Sequence, residues 1–374
     1  MLEQVNPWID QEEIEAVAAC LRSGWISEGA YTSKALEEIK SITKAKHALL
    51  APNGTLGLFV ALLTLDLPQG SEVLVPDFTF FGSCSSIVQA GLVPVPVDVD
   101  VETFQICMED LRNKITSNTS AIMPVHIYGQ GANICELVSF ARENGLKVVE
   151  DAAQVFGVCY SESGPHSCNL PKSDCCKSHP RHLGTFGDIG VFSLFADKTI
   201  TSGEGAIILT NSDTIYEKLK LLRNQGRPNS GTFIHPEIGM NFRMTDMQAA
   251  ILYCQLKKLP LIAHQRKDTH KLYITAFEKL GIRSMKLVPD SDIIPFRMTA
   301  LVNDVELALD KLQRISVRGR RFFYPMSLQP ALASFGLVPC VNSKWLYDHG
   351  ICLPIHRDVT SGDVQRIAEA LQGV

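Results

Sequence analysis

The chain has 374 residues, 45% of them hydrophobic and 20% charged, a balance that supports a large buried core and excludes global disorder. Its 35 basic and 40 acidic residues leave a net charge of −5. No region is basic enough to neutralise a run of phosphates, so small molecules or copies of the chain itself are the expected partners rather than nucleic acid.

No stretch approaches the roughly 18 apolar residues of a membrane span; the apolar run over 56–67 is interrupted by Gly57, Thr64 and Asp66. The first 13 residues carry Glu3, Asp10, Glu12 and Glu13 and no cationic side chain, the reverse of a secretory leader. Eleven cysteines, an odd and scattered set, fit free thiols in a reducing compartment, so a cytoplasmic protein is expected.

In chain order, 47–51 is a short apolar strand followed by an amphipathic helix over 54–65. The spacing predicts a strand at 72–76, a helix at 79–90, a strand at 92–97 and a short helix at 110–115. A strand at 121–126, a helix at 134–144 and a strand at 146–150 follow. Four to eight buried residues alternating with single helices are the signature of parallel βαβ units, whose ligands collect at the carboxyl ends of the strands. The pattern then stops over 161–182, a segment rich in Ser, Pro, His, Lys and Cys that reads as a surface insertion. It holds Cys168, Cys175, Cys176, His166, His179 and His182 without a Cys-x2-Cys or His-x3-His spacing, so no metal site is expected. Strands are predicted at 190–195 and 205–210 and helices at 214–224, 245–258 and 263–280, with Asn241 or Thr245 available as a cap and Pro260 perturbing the junction of the last two. Short strands (293–302, 350–353) and helices (305–315, 361–372) close the chain. The expected fold is α/β, with a large, mostly parallel sheet domain over 1–258 and a smaller α+β domain over 259–374.

Four segments fall where strand–helix junctions place chemistry. Pro52-Asn53-Gly54-Thr55 offers a tight turn, helix-start N–H groups and a hydroxyl, which suit a phosphate; an ordinary Asn-Gly turn with a Thr cap reads the same way. In Val148-Val149-Glu150-Asp151-Ala152-Ala153-Gln154, an apolar strand ends in carboxylates, so Asp151 either holds a cation or protonated ring nitrogen, or caps a helix. Ser193-Leu194-Phe195-Ala196-Asp197-Lys198 runs into a Gly-rich turn ending Gly203-Glu204-Gly205. A lysine among apolar and small groups is desolvated, which favours the neutral amine that forms Schiff bases with aldehydes. Asn241-Phe242-Arg243-Met244-Thr245-Asp246 precedes a long helix, as a cap and surface ion pair or as an anion contact that reaches another subunit.

The order of these motifs, with Ser23-Gly24-Trp25-Ile26-Ser27, Val75-Pro76-Asp77-Phe78-Thr79-Phe80 and Pro124-Val125-His126-Ile127-Tyr128-Gly129-Gln130, resembles the pyridoxal-phosphate-dependent nucleotide-sugar aminotransferases of the DegT/StrS type, fold type I, over nearly the whole chain. The resemblance implies that Lys198 carries pyridoxal 5'-phosphate and shuttles the proton, and that Asp151 pairs with the pyridinium nitrogen. It further places Gln154 near the ring's 3-oxygen and Phe80 on the ring face. Gly54, Thr55 and Ser193 would hold the phosphate, with Asn241 reaching it from a second subunit of a homodimer with shared active sites. Glutamate would be the amino donor and a nucleotide-linked keto-sugar the acceptor, with Trp25, His126, Arg243 and Tyr324 as candidate contacts to it. A lysine at 198 speaks against the dehydratases of the family, which carry histidine there. Lys198-Thr-Ile-Thr-Ser-Gly-Glu-Gly205 and Leu222-Arg223-Asn224-Gln225-Gly226 resemble the sugar 4-aminotransferases of the perosamine type; Ala206 departs from the usual Gly-Glu-Gly-Gly. A 3-aminotransferase and a non-catalytic regulatory protein of the same fold are the alternatives.

Overall fold

A computed structural model of the chain describes residues 1–160, 180–229, 231 and 233–374. Two helices open it, α1 (Gln11–Arg22) and α2 (Ala30–Thr43), neither of which the sequence reading anticipated. The alternating section follows as β1 (His47–Ala51), α3 (Gly54–Thr64), β2 (Glu72–Pro76), α4 (Phe81–Gln89), β3 (Val93–Val97), α5 (Met108–Asn113), β4 (Thr119–Ile122), α6 (Ile134–Glu143) and β5 (Lys147–Asp151). The pair β6 (Cys159–Tyr160) and β7 (Arg181–His182) runs antiparallel. The expected insertion therefore ends in a strand at its carboxyl side, and its Cys168, Cys175, Cys176, His166 and His179 lie outside the described residues. Then come β8 (Ile189–Ser193), β9 (Ala206–Thr210), α7 (Asp213–Arg223) and α8 (Asp246–Leu280). The chain closes with β10 (Met298–Leu301), α9 (Val305–Arg314), β11 (Arg320–Arg321), α10 (Val341–His349), β12 (Gly350–Leu353) and α11 (Ser361–Leu371).

Seven strands form one sheet in the order β1-β9-β8-β5-β4-β2-β3. From β8 to β3 every pairing is parallel, whereas β9 runs antiparallel to both neighbours. Successive side chains point to opposite faces, and both faces are covered. Leu50, Leu74, Ile122, Val148, Phe192 and Ile207 enter the core shared with α2, α6 and the first half of α8. Their neighbours Leu49, Val73, Ala121, Val149, Val191 and Ile208 enter the core shared with α3, α4 and α7. This two-sided burial is why the strands read as near-continuous apolar runs. Because β9 is the reversed strand, the carboxyl ends of β1, β2, β5 and β8 and the amino end of β9 share one edge.

Two expectations change. The helices predicted at 245–258 and 263–280 are one 35-residue helix, α8, that runs through Pro260. A proline there removes one backbone hydrogen bond and costs roughly 3 kcal/mol in a helix interior. Burial of Leu256, Leu259 and Ile262 on one face offsets that cost, while Pro260 itself faces solvent. The predicted boundary at 258/259 thus falls within a continuous helix. Residues up to Ile262 pack on the large sheet, and Tyr273, Ala276 and Phe277 pack with β10, β12, α9 and α11. The strand expected over 121–126 stops at Ile122, beyond which Val125 bridges Asp151 alone. The small unit is a three-stranded antiparallel sheet, β10-β12-β11, to which the amino terminus is tied through Leu2 and Val317.

Candidate active site

The shared sheet edge collects the segments singled out in the sequence. After β1, Asn53 caps α3 by accepting the Leu56 N–H at 2.9 Å. The N–H groups of Gly54 and Thr55 are left without a protein acceptor among the described residues, at the end of a helix where anions are favoured. Ser193, the last residue of β8, closes on this turn: a Cβ on Gly54 would stand 3.0 Å from the Ser193 Cβ. A Cβ on Gly82 would stand 2.9 Å from the Thr55 hydroxyl, so α3, α4 and β8 converge with no side chain between them. Phe80, the residue before α4, leaves its ring 61% exposed above this edge.

Asp151 ends β5 and is buried. Ser83 donates to its Oδ2 at 2.7 Å and the Ala153 N–H to its Oδ1 at 3.1 Å. Burial still raises the carboxyl above its ordinary value, against the pull of these two hydrogen bonds and of the Lys198 amine. Gln154 is oriented by the Tyr128 N–H, which its Oε1 accepts at 2.7 Å, leaving the amide NH₂ as the group it can offer.

Lys198 lies in a knot between β8 and β9. Its N–H donates to Phe195 O at 3.0 Å, Thr201 Oγ1 and the Ser202 N–H bond Leu194 O, and the Leu194 N–H reaches Gly205 O. The side chain is 15% exposed, with Nζ 3.7 Å from Asp197 Oδ1 and 4.4 Å from the centre of the Phe296 ring. Burial pushes the amine below the usual lysine range, against the pull of the Asp197 and Asp151 carboxylates. A desolvated amine with a buried carboxylate facing it is equipped for nucleophilic and proton-transfer chemistry.

The remaining candidates separate. Asn241 is exposed, pairs its backbone with Asn224, and accepts the Arg243 N–H at 3.4 Å; among the described residues nothing ties it to Gly54 or Ser193. Arg243 donates to Asn224 Oδ1 at 2.6 Å. Thr245 is the cap of α8, and Asp246 accepts from the Gly29, Tyr31 and Thr32 N–H groups, which makes that part of the fourth segment a structural joint to α2. Trp25 is 64% exposed and donates to Glu28 O. Tyr324 is half-exposed and follows Phe323, whose ring meets Phe80 at 6.1 Å. His126 does not face the site. It is fully buried, its Nδ1 accepts the Ala132 N–H at 3.1 Å, and its Nε2 lies 3.0 Å from Glu150 Oε2, so both ring nitrogens are engaged inside the core. An apolar strand end carried it inward, where a sugar has no access.

Three contributors went unnoticed in the sequence. Ser83 was findable, since it sits on the first turn after β2 at the same sheet edge. Asp197 adjoins Lys198, and its place beside a reactive lysine is the signal that marks it. Arg297 binds Asp197 from 100 residues away, and no local pattern announces it.

With this geometry in hand, comparison with known proteins is direct. Residues 7–372 match the DegT/DnrJ/EryC1/StrS aminotransferase family, and the chain belongs to it. The chain is 32% identical to a GDP-perosamine synthase of Vibrio cholerae, covering 100% of this chain and 98% of that protein. It is 31% identical to a GDP-perosamine synthase of Caulobacter vibrioides, covering 98% and 96%. Among solved structures, DesV of S. venezuelae, described in complex with a ketimine intermediate, superimposes with a TM-score of 0.87 at 26% identity over 96% of this chain and 93% of that one. The aminotransferase TlmJ of Streptoalloteichus hindustanus shares the fold, with a TM-score of 0.89 at 22% identity over 100% and 98%. The protein is an aminotransferase of fold type I, a family that works with pyridoxal 5'-phosphate.

The residues fit that group on grounds of their own chemistry. Gly54, Thr55 and Ser193 form a close-packed cradle of backbone N–H groups and two hydroxyls at a helix start, Asp151 is a buried carboxylate with no ion pair among the described residues, Phe80 is an exposed ring, and Lys198 is a desolvated amine.

Proposed function

We propose that this enzyme transfers the amino group of glutamate to C4 of a nucleotide-linked 4-keto-6-deoxyhexose, with GDP-4-keto-6-deoxymannose as the substrate and GDP-perosamine as the product. The observation that carries the reading is that a desolvated Lys198 amine and the buried Asp151 carboxylate lie at one sheet edge, near enough to act on each other electrostatically. The choice of sugar rests on the perosamine synthases that the chain matches from end to end. Bound pyridoxal 5'-phosphate supplies an electron sink and carries the amino group between donor and acceptor. The N–H groups of Gly54 and Thr55 and the hydroxyls of Thr55 and Ser193 would hold its phosphate, Phe80 would lie against its ring, and the Gln154 amide would be available to its 3-oxygen. Asp151 holds a proton on the ring nitrogen. Lys198, its amine desolvated at the same edge, would be the group that takes up and gives back the proton at the substrate carbon. Overall, glutamate leaves as 2-oxoglutarate and the sugar carbonyl becomes an amine.

Trp25, Arg243 and Tyr324 are the side chains proposed to meet the sugar nucleotide. The exposed Asn241, with exposed Phe233, Ile234, Ile238 and Met240 nearby in sequence, supports a homodimer in which Asn241 completes the partner's phosphate site. Cys20, Cys84, Cys107, Cys159, Cys254, Cys340 and Cys352 are free thiols, which supports a reducing, cytoplasmic setting; none of the described helices is long and apolar enough to cross a membrane. The test is a half-reaction screen of the pyridoxamine-loaded enzyme against GDP-, UDP- and dTDP-linked keto-sugars, with products located by mass and NMR. An amine at C4 of the GDP sugar is the expected result. An amine at C3 replaces the regiochemistry, and no transfer to any acceptor points to a non-catalytic protein.

A further inference from the structure

Asp197 and Arg297 form a buried ion pair beside Lys198. Asp197 Oδ2 accepts from Arg297 Nη2 at 2.8 Å, with side chains 15% and 4% exposed. The other oxygen, Oδ1, is buried without a hydrogen-bond partner among the described residues and lies 3.7 Å from Lys198 Nζ, beyond hydrogen-bond length. Arg297 is itself held, since its Nη1 donates to Gln4 O at 2.9 Å and its guanidinium lies 4.5 Å from the centre of the Phe296 ring. Lys198 Nζ packs on the same ring at 4.4 Å. Arg266 ties the two segments together, donating to Pro295 O at 3.0 Å, Phe296 O at 3.2 Å and Lys198 O at 3.4 Å.

We propose that Asp197 is a positioning residue for Lys198: with one oxygen locked by Arg297, its other oxygen holds the amine against Phe296 until the cofactor draws it away. The inference rests on the reading of Lys198 as the amine that meets the cofactor. A carboxylate free to turn would bring both oxygens to the ammonium and form a short pair that resists release. Arg297 occupies one oxygen and leaves an attraction at 3.7 Å that holds the amine without a hydrogen bond to break. Buried unsatisfied acceptors are costly, and their retention at a reactive lysine is explained by such a weakened hold.

The charged groups that face the amine are Asp197 and Asp151, which favour its protonation, and Arg297, which opposes it; Arg266 reaches only the Lys198 carbonyl. Removing either member of the pair therefore moves the amine in opposite directions. In the full-length, cofactor-free protein, reductive methylation of Lys198 is followed against pH by mass spectrometry of the peptide that carries it. In Asp197→Asn the midpoint is expected to fall by about one pH unit, because an opposite charge within about 4–6 Å is lost. In Arg297→Met it is expected to rise, since a like charge is gone and the freed carboxylate can close on the amine. Midpoints that stay at the wild-type value, or that move together in one direction, overturn the proposal and leave the pair a packing element. Should Asp197→Asn fail to fold, the double variant Asp197→Asn/Arg297→Met, which removes both charges, must titrate below Arg297→Met; a midpoint equal to that of Arg297→Met also overturns it. If wild-type protein fails to take up cofactor at Lys198, the functional reading falls first. If it takes up cofactor and the midpoints do not separate, only this proposal falls.

Discussion

Ser83, on the first turn of α4, donates a 2.7 Å hydrogen bond to Oδ2 of Asp151 at the end of β5, across 68 residues of chain. The bond restrains a carboxylate that burial would otherwise push still further toward its neutral form. Hydrogen bonds to charged groups contribute about 1.5–3 kcal/mol. Ser83→Ala is therefore expected to weaken retention of pyridoxal 5'-phosphate by about tenfold, read as its dissociation constant by absorbance titration, with the thermal midpoint of the cofactor-free protein little changed.

Lys198→Ala removes the side chain proposed to bond the cofactor and move the proton. Turnover is expected to fall by more than about a thousandfold. Borohydride treatment of the loaded wild-type enzyme should add the mass of reduced cofactor to the Lys198 peptide, and the variant should gain none. Turnover near the wild-type level would remove this lysine from the reaction.

Glu150 precedes Asp151 yet serves the fold. Its carboxylate, wholly buried, faces His126 Nε2 at 3.0 Å and accepts the N–H groups of Gly184, Phe186 and Gly187 at 2.8, 2.7 and 2.6 Å. These bonds hold its carboxyl below the ordinary value of 4.5 although burial alone would raise it. The unfolded chain therefore takes up this proton more readily, so the group's stabilisation is complete above about pH 4.5 and is lost as pH falls through the lower folded value. Glu150→Gln is expected to cost about 3–5 kcal/mol at pH 7, since one acceptor oxygen cannot serve four donors. In urea unfolding the wild type should lose stability below pH 4.5 more steeply than the variant.

Pro260 sits in the interior of α8 on its exposed side. Pro260→Ala restores a backbone donor and relieves the ring's contact with the preceding turn, and it is expected to stabilise the protein by about 1–3 kcal/mol. The urea midpoint checks this; a decrease would show that the proline sets a bend needed for the two halves of α8 to reach their separate cores.

What the sequence determined by itself was local. The apolar runs of β1, β2, β5, β8 and β9 and the small or polar residues that end them are readable because side-chain period and strand termination depend on neighbours in the chain. Those signals located Gly54, Thr55, Asp151 and Lys198 at or just beyond strand ends, while Ser193 fell inside the strand expected over 190–195, and parallel topology then carries such ends to one edge. The first two helices were legible too, since their buried residues Glu13, Ala16 and Cys20, and Thr32, Ala35, Ile39 and Thr43, recur at three- and four-residue spacing; the continuity of α8 escaped because a local breaker was outweighed by burial against two cores. Only the tertiary structure decided which partners these residues have. It turned His126 into the core onto Glu150, set Ser83 on Asp151, and brought Arg297 to Asp197 beside Lys198. Desolvation and charge pairing act through space between residues far apart in the chain, and no periodicity in a sequence encodes which distant group will be the neighbour.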